Sequence, residues 1–217
     1  MTDKVDFPSS LEMSTKVRIS IMRTNEEFSQ PEGWIVTAAT SLWLPLSFET
    51  IFKLFRDVKT RPQWDVLSNG NAVIELGRSL TRTFFGNCIT IIQPDVPKEK
   101  NMLVLQETNI DSMGAFIIYA PIDLPTVTSI INGEDTTKIP ILPSGFIISP
   151  DGRLAVDRDS TGNTPNGSIL TVAFQILICA NNSVSQLQQM EAVANVNVLL
   201  SSTVLNSKPS NEARGKM

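Results

Sequence analysis

Between Ser168 and Ile178 every second residue is large and apolar: Leu170, Val172, Phe174, Ile176 and Ile178, with Thr171, Ala173 and Gln175 on the opposite side. A period of two puts each set on its own face of an extended chain, so the run predicts a half-buried strand with the even positions inward. The same alternation recurs upstream. Val17, Ile19 and Ile21 oppose Arg18 and Ser20, and Trp34, Val36, Ala38, Leu42 and Leu44 share a face of the next run. A chain so patterned is constrained to build a sheet with one buried face.

Pro45 ends the second run, and the period then changes. Phe48, Ile51, Phe52 and Phe55 follow the i, i+3, i+4, i+7 spacing of an amphipathic helix, with Ser47 placed as its N-cap. Pro62 stops it, and a short helical turn is expected to hold Trp64. Further strands are predicted over Ala72–Gly77, Arg82–Ile92, Met102–Thr108, Ala115–Ala120, Thr126–Ile131 and Gly145–Ile148. Glycine and proline punctuate the joints, at Asp95-Val96-Pro97, Gly114, Pro121 and Asn132-Gly133. Asp157–Gly167 is polar and reads as an exposed loop.

The last long segment, Ser183–Asn206, holds neither proline nor glycine and suits a helix of about six turns. Leu187, Met190, Ala194 and Val198 lie near one stripe, with Val193, Val196, Leu200 and Val204 beside it. Burying each large side chain is worth about 1.5–3 kcal/mol, so this helix needs an apolar surface, and the strands supply the only one. The expected fold is therefore α+β: a curved antiparallel sheet around a long C-terminal helix, with one domain over residues 16–206, flanked by disordered segments 1–15 and 207–217. A sheet that curls in this way can leave a cavity for a small apolar ligand. The candidate lining comprises Leu170, Val172 and Phe174 on the last strand, Met190, Ala194 and Val198 on the helix, and Ile89 and Ile91 on a middle strand.

Composition narrows the chemistry. At 217 residues, 41% hydrophobic and 18% charged, the chain is long and apolar enough for a core without metal or disulfide support. Its formal net charge of −4 and scattered basic residues, such as Lys98 and Lys100 beside Asp95 and Glu99, argue against direct nucleic-acid binding. There is no histidine, which excludes Ser-His-Asp and Cys-His nucleophile systems and histidine metal sites. The carboxylates Asp65, Glu107, Asp111, Asp123, Glu134 and Asp135 fall at turns or strand ends with no second group spaced to shift them. No catalytic residue, metal ligand or cofactor is assigned, and the chain reads as not an enzyme. Trp34, Trp43 and Trp64 read as packing anchors, and Phe84, Phe85 and Phe116 as core more readily than as ligand contacts. Arg61, beside Trp64 and Asp65, is a candidate partner for a buried carboxylate or a ligand head group, but reads more readily as a partly exposed local ion pair. Cys88 and Cys179 read as reduced core thiols. No signal core follows Met1, and the longest apolar stretch, Ile169–Ala180, falls well short of the ~20 residues of a membrane span. Both features point to the cytosol or the nucleus.

Six stretches taken in order resemble a known family: VTAATSLWLPL at Val36–Leu46, FRDVKTRPQWDVLSNG at Phe55–Gly70, NMLVLQET at Asn101–Thr108, IIYAPID at Ile117–Asp123, ILPSGFIISPDG at Ile141–Gly152 and GSILTVAFQILI at Gly167–Ile178. Over Thr15–Asn206 the chain is similar to the START-associated C-terminal region of plant class IV homeodomain–leucine zipper proteins. That resemblance implies a START-like helix-grip fold and a nuclear regulator of transcription. Neither the homeodomain nor the zipper of that family is carried by these residues, so DNA binding and zipper dimerisation are not implied for them. Two functions follow: a module that accepts a lipid or sterol-like molecule, or a ligand-free domain that binds protein partners. A hydrolase of new type is the third and weakest reading, for want of a general base.

Overall fold

The computed structural model describes residues 17–24, 33–81, 86–97, 99–135, 137, 139, 141–152 and 167–179. The expected helix over Ser183–Asn206, with Met190, Ala194 and Val198, lies outside these residues, as do Phe84, Phe85 and both end segments.

The strands are β1 (Arg18–Thr24), β2 (Gly33–Leu44), β3 (Val73–Leu80), β4 (Cys88–Pro94), β5 (Met102–Asp111), β6 (Gly114–Asp123), β7 (Ser144–Pro150) and β8 (Ser168–Cys179). They form one sheet in the order β1-β2-β8-β7-β6-β5-β4-β3. Every neighbouring pair is antiparallel. Among the described residues two helices, α1 (Phe48–Arg56) and α2 (Leu124–Ile131), interrupt the strand sequence, so the architecture is α+β with an antiparallel sheet.

Alternation fixes which face is inside. On β8, Leu170, Val172 and Phe174 are buried, and on β2, Val36, Ala38, Leu42 and Leu44 point the same way. Register brings them together: Leu42 lies opposite Leu170 and Ala38 opposite Phe174. β7 adds Phe146 beside Val172 and Ile148 beside Leu170. Helix α1 closes part of this face. The side chain of Ser47 accepts a hydrogen bond from the Thr50 N–H as the N-cap, and Ile51, Phe52 and Phe55 are the buried side chains. The ring of Phe55 stacks on Phe146 at 4.2 Å and 18°. Gly145 makes the tight β6–β7 approach possible, since a Cβ there would stand 2.2 Å from the Ile117 carbonyl oxygen.

Four expectations need correction. Residues 126–131 belong to helix α2, not to a strand. Asp123 caps that helix by accepting from the Thr126 N–H, a proline stands in its first turn, and Asn132-Gly133 follows it. These local signals override the β-rich composition of Val127, Ile130 and Ile131. On β4 the inward positions are Cys88, Thr90 and Ile92. Ile89 is 38% exposed, and Ile91, on the same outward side, is only half-buried, so neither shares the face of Leu170, Val172 and Phe174. The run Ile89-Thr90-Ile91-Ile92 is apolar on both faces, and alternation cannot orient such a run. Trp43 is 47% exposed on the outer side, where its indole N–H donates to Asp151 at 3.0 Å, so it is no core anchor. Arg61 and Asp65, expected near solvent, are buried.

Phe174 tests the packing. It meets Tyr119 edge-on at 6.5 Å and is 5% exposed. Phe174→Ala should lower unfolding free energy by about 3–5 kcal/mol in denaturant melts; a loss under about 1 kcal/mol would remove Phe174 from the core.

Candidate functional site

Arg61 stands at the first position of a 3-10 turn, Arg61–Gln63, just after α1. Proline within that turn and a second turn at Val66–Ser68 keep the segment short and bent, and it directs Arg61, Trp64 and Asp65 into the interior. Arg61 Nε donates to Asp65 Oδ2 at 2.6 Å. The other carboxylate oxygen of Asp65 accepts the Leu67 N–H at 3.0 Å. Arg61 Nη1 donates to Gln106 Oε1 on β5. The guanidinium carbon lies 4.9 Å from the ring centroids of both Trp64 and Tyr119, within cation–π reach of each.

An aromatic cluster adjoins this pair. Trp64 packs edge-on to Phe55 at 5.3 Å and to Phe146 at 5.1 Å, and lies 6.1 Å from Tyr119. Tyr119 and Gln106 are register partners, and Gln106 in turn faces Thr90. On the other side Tyr119 faces Ser144, whose hydroxyl accepts the Gln175 N–H at 3.1 Å. A lateral row of inward polar residues, Thr90–Gln106–Tyr119–Ser144, therefore crosses β4 to β7, and every member is buried.

Several atoms of this cluster are buried with no hydrogen-bond partner among the described residues: Arg61 Nη2, Trp64 Nε1, Tyr119 Oη and Thr90 Oγ1. The phenol of Tyr119 is pushed well above its ordinary value of 10.0, first by burial and next by the negative charge of Asp65, with Arg61 opposing. It stays a neutral donor throughout the physiological range.

Among the sequence-derived candidates, Leu170, Val172 and Phe174 lie on the same inner face as this cluster, and Phe174 touches Tyr119. Ile89 and Ile91 are directed away from it. Sequence reasoning weighed Arg61 as a ligand contact and passed over Gln106, Tyr119 and Thr90. The available signal was polar residues on the inward side of strands that are otherwise apolar. Two surface grooves occur elsewhere. One of about 680 Å³ lies between the β4–β5 connection and the start of α2, lined by Pro97, Lys100, Met102 and Thr126 among others. Another, of about 260 Å³, lies on the outer face over Phe116, Ile118 and Ile147. Neither is lined by a candidate residue. Among the described residues, no three Asp, Glu, Cys or His side chains gather to hold a metal ion, and no helix is long and apolar enough to cross a membrane.

The ion pair should behave as a unit. Arg61→Met leaves a carboxylate buried without its cation and should cost about 3–5 kcal/mol, whereas adding Asp65→Leu should restore a large part of that loss. Equal and additive losses in a double-mutant cycle would show that the two do not interact. Tyr119 gives a pH signature. Its pKa is higher folded than unfolded, so its contribution is complete below about pH 10 and is lost as pH rises beyond. Tyr119→Phe should flatten this alkaline loss of stability in urea melts at pH 9–11, and an unchanged slope would place the phenol in water.

A family profile described as "PDF2-like, C-terminal domain" matches residues 1–210. Homeobox-leucine zipper protein HDG11 of Arabidopsis thaliana is 40% identical over 193 residues, 86% of this chain and 26% of that protein. Homeobox-leucine zipper protein ROC8 of Oryza sativa subsp. japonica is 40% identical over 203 residues, 87% of this chain and 28% of that protein. The chain thus spans little more than a quarter of these relatives. The resemblance read from the six sequence stretches is borne out. Among solved structures, CalU16 from Micromonospora echinospora aligns with a TM-score of 0.41 at 8% identity, covering 91% of this chain and 88% of that one. A START superfamily protein from Mycobacterium smegmatis aligns with a TM-score of 0.34 at 11% identity, covering 76% and 92%.

Proposed function

We propose, because this chain belongs to the PDF2-like C-terminal domain family, that it is a non-catalytic START-like module that regulates transcription in the nucleus of a plant cell. The family match over residues 1–210 carries the reading, and the relatives similar to this chain are homeobox-leucine zipper proteins. The helix-grip form of that fold needs a long helix against the sheet, which Ser183–Asn206 would supply. In this reading the module accepts a lipid or sterol-like molecule on the inner face, against Leu170, Val172 and Phe174 from the sheet and Met190, Ala194 and Val198 from that helix. A lack of histidine throughout the chain supports a binding role over catalysis.

A second reading, a protein-interaction domain with no ligand, draws support from α2. None of its side chains is buried, and Leu124, Ile130 and Ile131 are 47%, 43% and 78% exposed. So much apolar surface on one short helix is a feature of contact sites.

Native mass spectrometry of the purified chain, paired with hydrogen exchange, separates the two. Ligand carriage predicts a co-purifying mass of a few hundred daltons, released on denaturation, and protection of β8 that falls when it is stripped. A bare-chain mass, with no gain of β8 protection on adding lipid extract, rejects carriage and leaves the interaction domain. Protection of α2 on adding nuclear extract from plant tissue would then be the expected sign.

A further inference from the structure

The inner face of the sheet is mostly apolar, and another buried threonine hydroxyl, that of Thr108 on β5, is hydrogen-bonded, so the side on which polar atoms stay unpaired is informative. Arg61 is held by three kinds of contact: Nε on Asp65, Nη1 on Gln106, and the rings of Trp64 and Tyr119, each with its centroid 4.9 Å from the guanidinium carbon. That leaves Nη2 as the only guanidinium nitrogen without an acceptor among the described residues. Trp64 Nε1, a donor only, and the protonated Tyr119 hydroxyl are likewise buried and unpaired, each on a ring 4.9 Å from the same guanidinium. A buried polar group with no partner costs about 1–3 kcal/mol, and apolar residues in these places would avoid that cost. Three such donors, one on the fixed cation and two on the rings beside it, therefore ask for an acceptor oxygen.

Charge decides which kind. Asp65 already stands 2.6 Å from Arg61, so the buried pair is neutral as it is. A carboxylate or phosphate arriving here would leave an excess negative charge inside the protein, facing Asp65, and that is strongly disfavoured. A neutral oxygen adds no such charge. We infer that Arg61 Nη2, Trp64 Nε1 and the Tyr119 hydroxyl form a polar subsite for the uncharged oxygen of an apolar ligand, a hydroxyl or carbonyl, and that Asp65 sets the selection against acidic lipids. This rests on the ligand-carrying reading above and gives that ligand its chemical class. Thr90, two strands from Tyr119 along the same polar row and also unpaired, marks the direction in which the subsite extends.

The test titrates the whole chain with two fluorescent probes, dehydroergosterol, with a neutral hydroxyl, and cis-parinaric acid, with a carboxylate. Each variant's thermal melt is recorded alongside. Wild type should bind dehydroergosterol at least about tenfold more tightly than cis-parinarate at pH 7.5. Tyr119→Phe, which keeps the ring and the packing, should weaken dehydroergosterol about three- to tenfold and leave cis-parinarate nearly unchanged. Asp65→Asn, which frees the charge of Arg61, should reverse the order of preference. Equal affinity for the two probes in wild type, or no response of dehydroergosterol to Tyr119→Phe in a protein that melts normally, overturns the subsite while leaving carriage intact. If neither probe binds and the native mass is that of the bare chain, carriage itself fails and the subsite falls with it. Should Asp65→Asn not fold, the Tyr119→Phe comparison decides alone.

Discussion

The guanidinium of Arg61 joins three parts of the chain. It reaches Asp65 within its own turn, Gln106 on β5 and the ring of Tyr119 on β6. Helix α1 and the turns after it are thereby tied to the middle of the sheet by a polar contact as well as by the stacking of Phe55 on Phe146. Apolar packing alone is tolerant of small shifts, since many arrangements bury similar area. A charge pair with directional hydrogen bonds tolerates few. Arg61 therefore fixes the register between helical segment and sheet that the aromatic cluster then fills.

The sheet has its own dependence. Strands β3 to β7 form a meander in which each strand pairs with its chain neighbour, and β1 with β2 forms a separate hairpin. Among the described residues, only β8 joins the two within the sheet, pairing with β2 over twelve residues and with β7 on its other edge. The strand with the cleanest alternation in the sequence is thus an interior one, third in the sheet order, with a paired neighbour on each side. Its pattern is sharp because a one-residue slip would turn Leu170, Val172 and Phe174 outward all at once.

Legibility in the sequence followed the same physics. β2, β8 and α1 were readable because each has one wet face and one dry face, which writes a period into the residues. β4 was not, since Ile89 and Ile91 are apolar on the outer side while Thr90 faces in. Helix α2 was misread as a strand because its composition favours β structure, whereas its capping residues, Asp123 and the proline after it, favour a helix. The burial of Arg61 and Asp65 was hidden for a different reason. An arginine four residues from an aspartate is a common surface pair, and only the position of Gln106, forty-five residues away, reveals that this one is inside. Long-range partners leave no local trace.

The inner face therefore divides between two tasks. Ile117, Phe146 and Val172 are aligned across β6, β7 and β8 with no polar atom to satisfy, and they supply packing. The adjacent row from Thr90 through Gln106 and Tyr119 to Ser144 contributes less packing and more direction, because hydrogen bonds have geometry and dispersion does not. A core made for stability alone has no use for the second row. Its presence one residue pair along from the first, with Arg61 already balanced by Asp65, is what separates this interior from a simple hydrophobic fill.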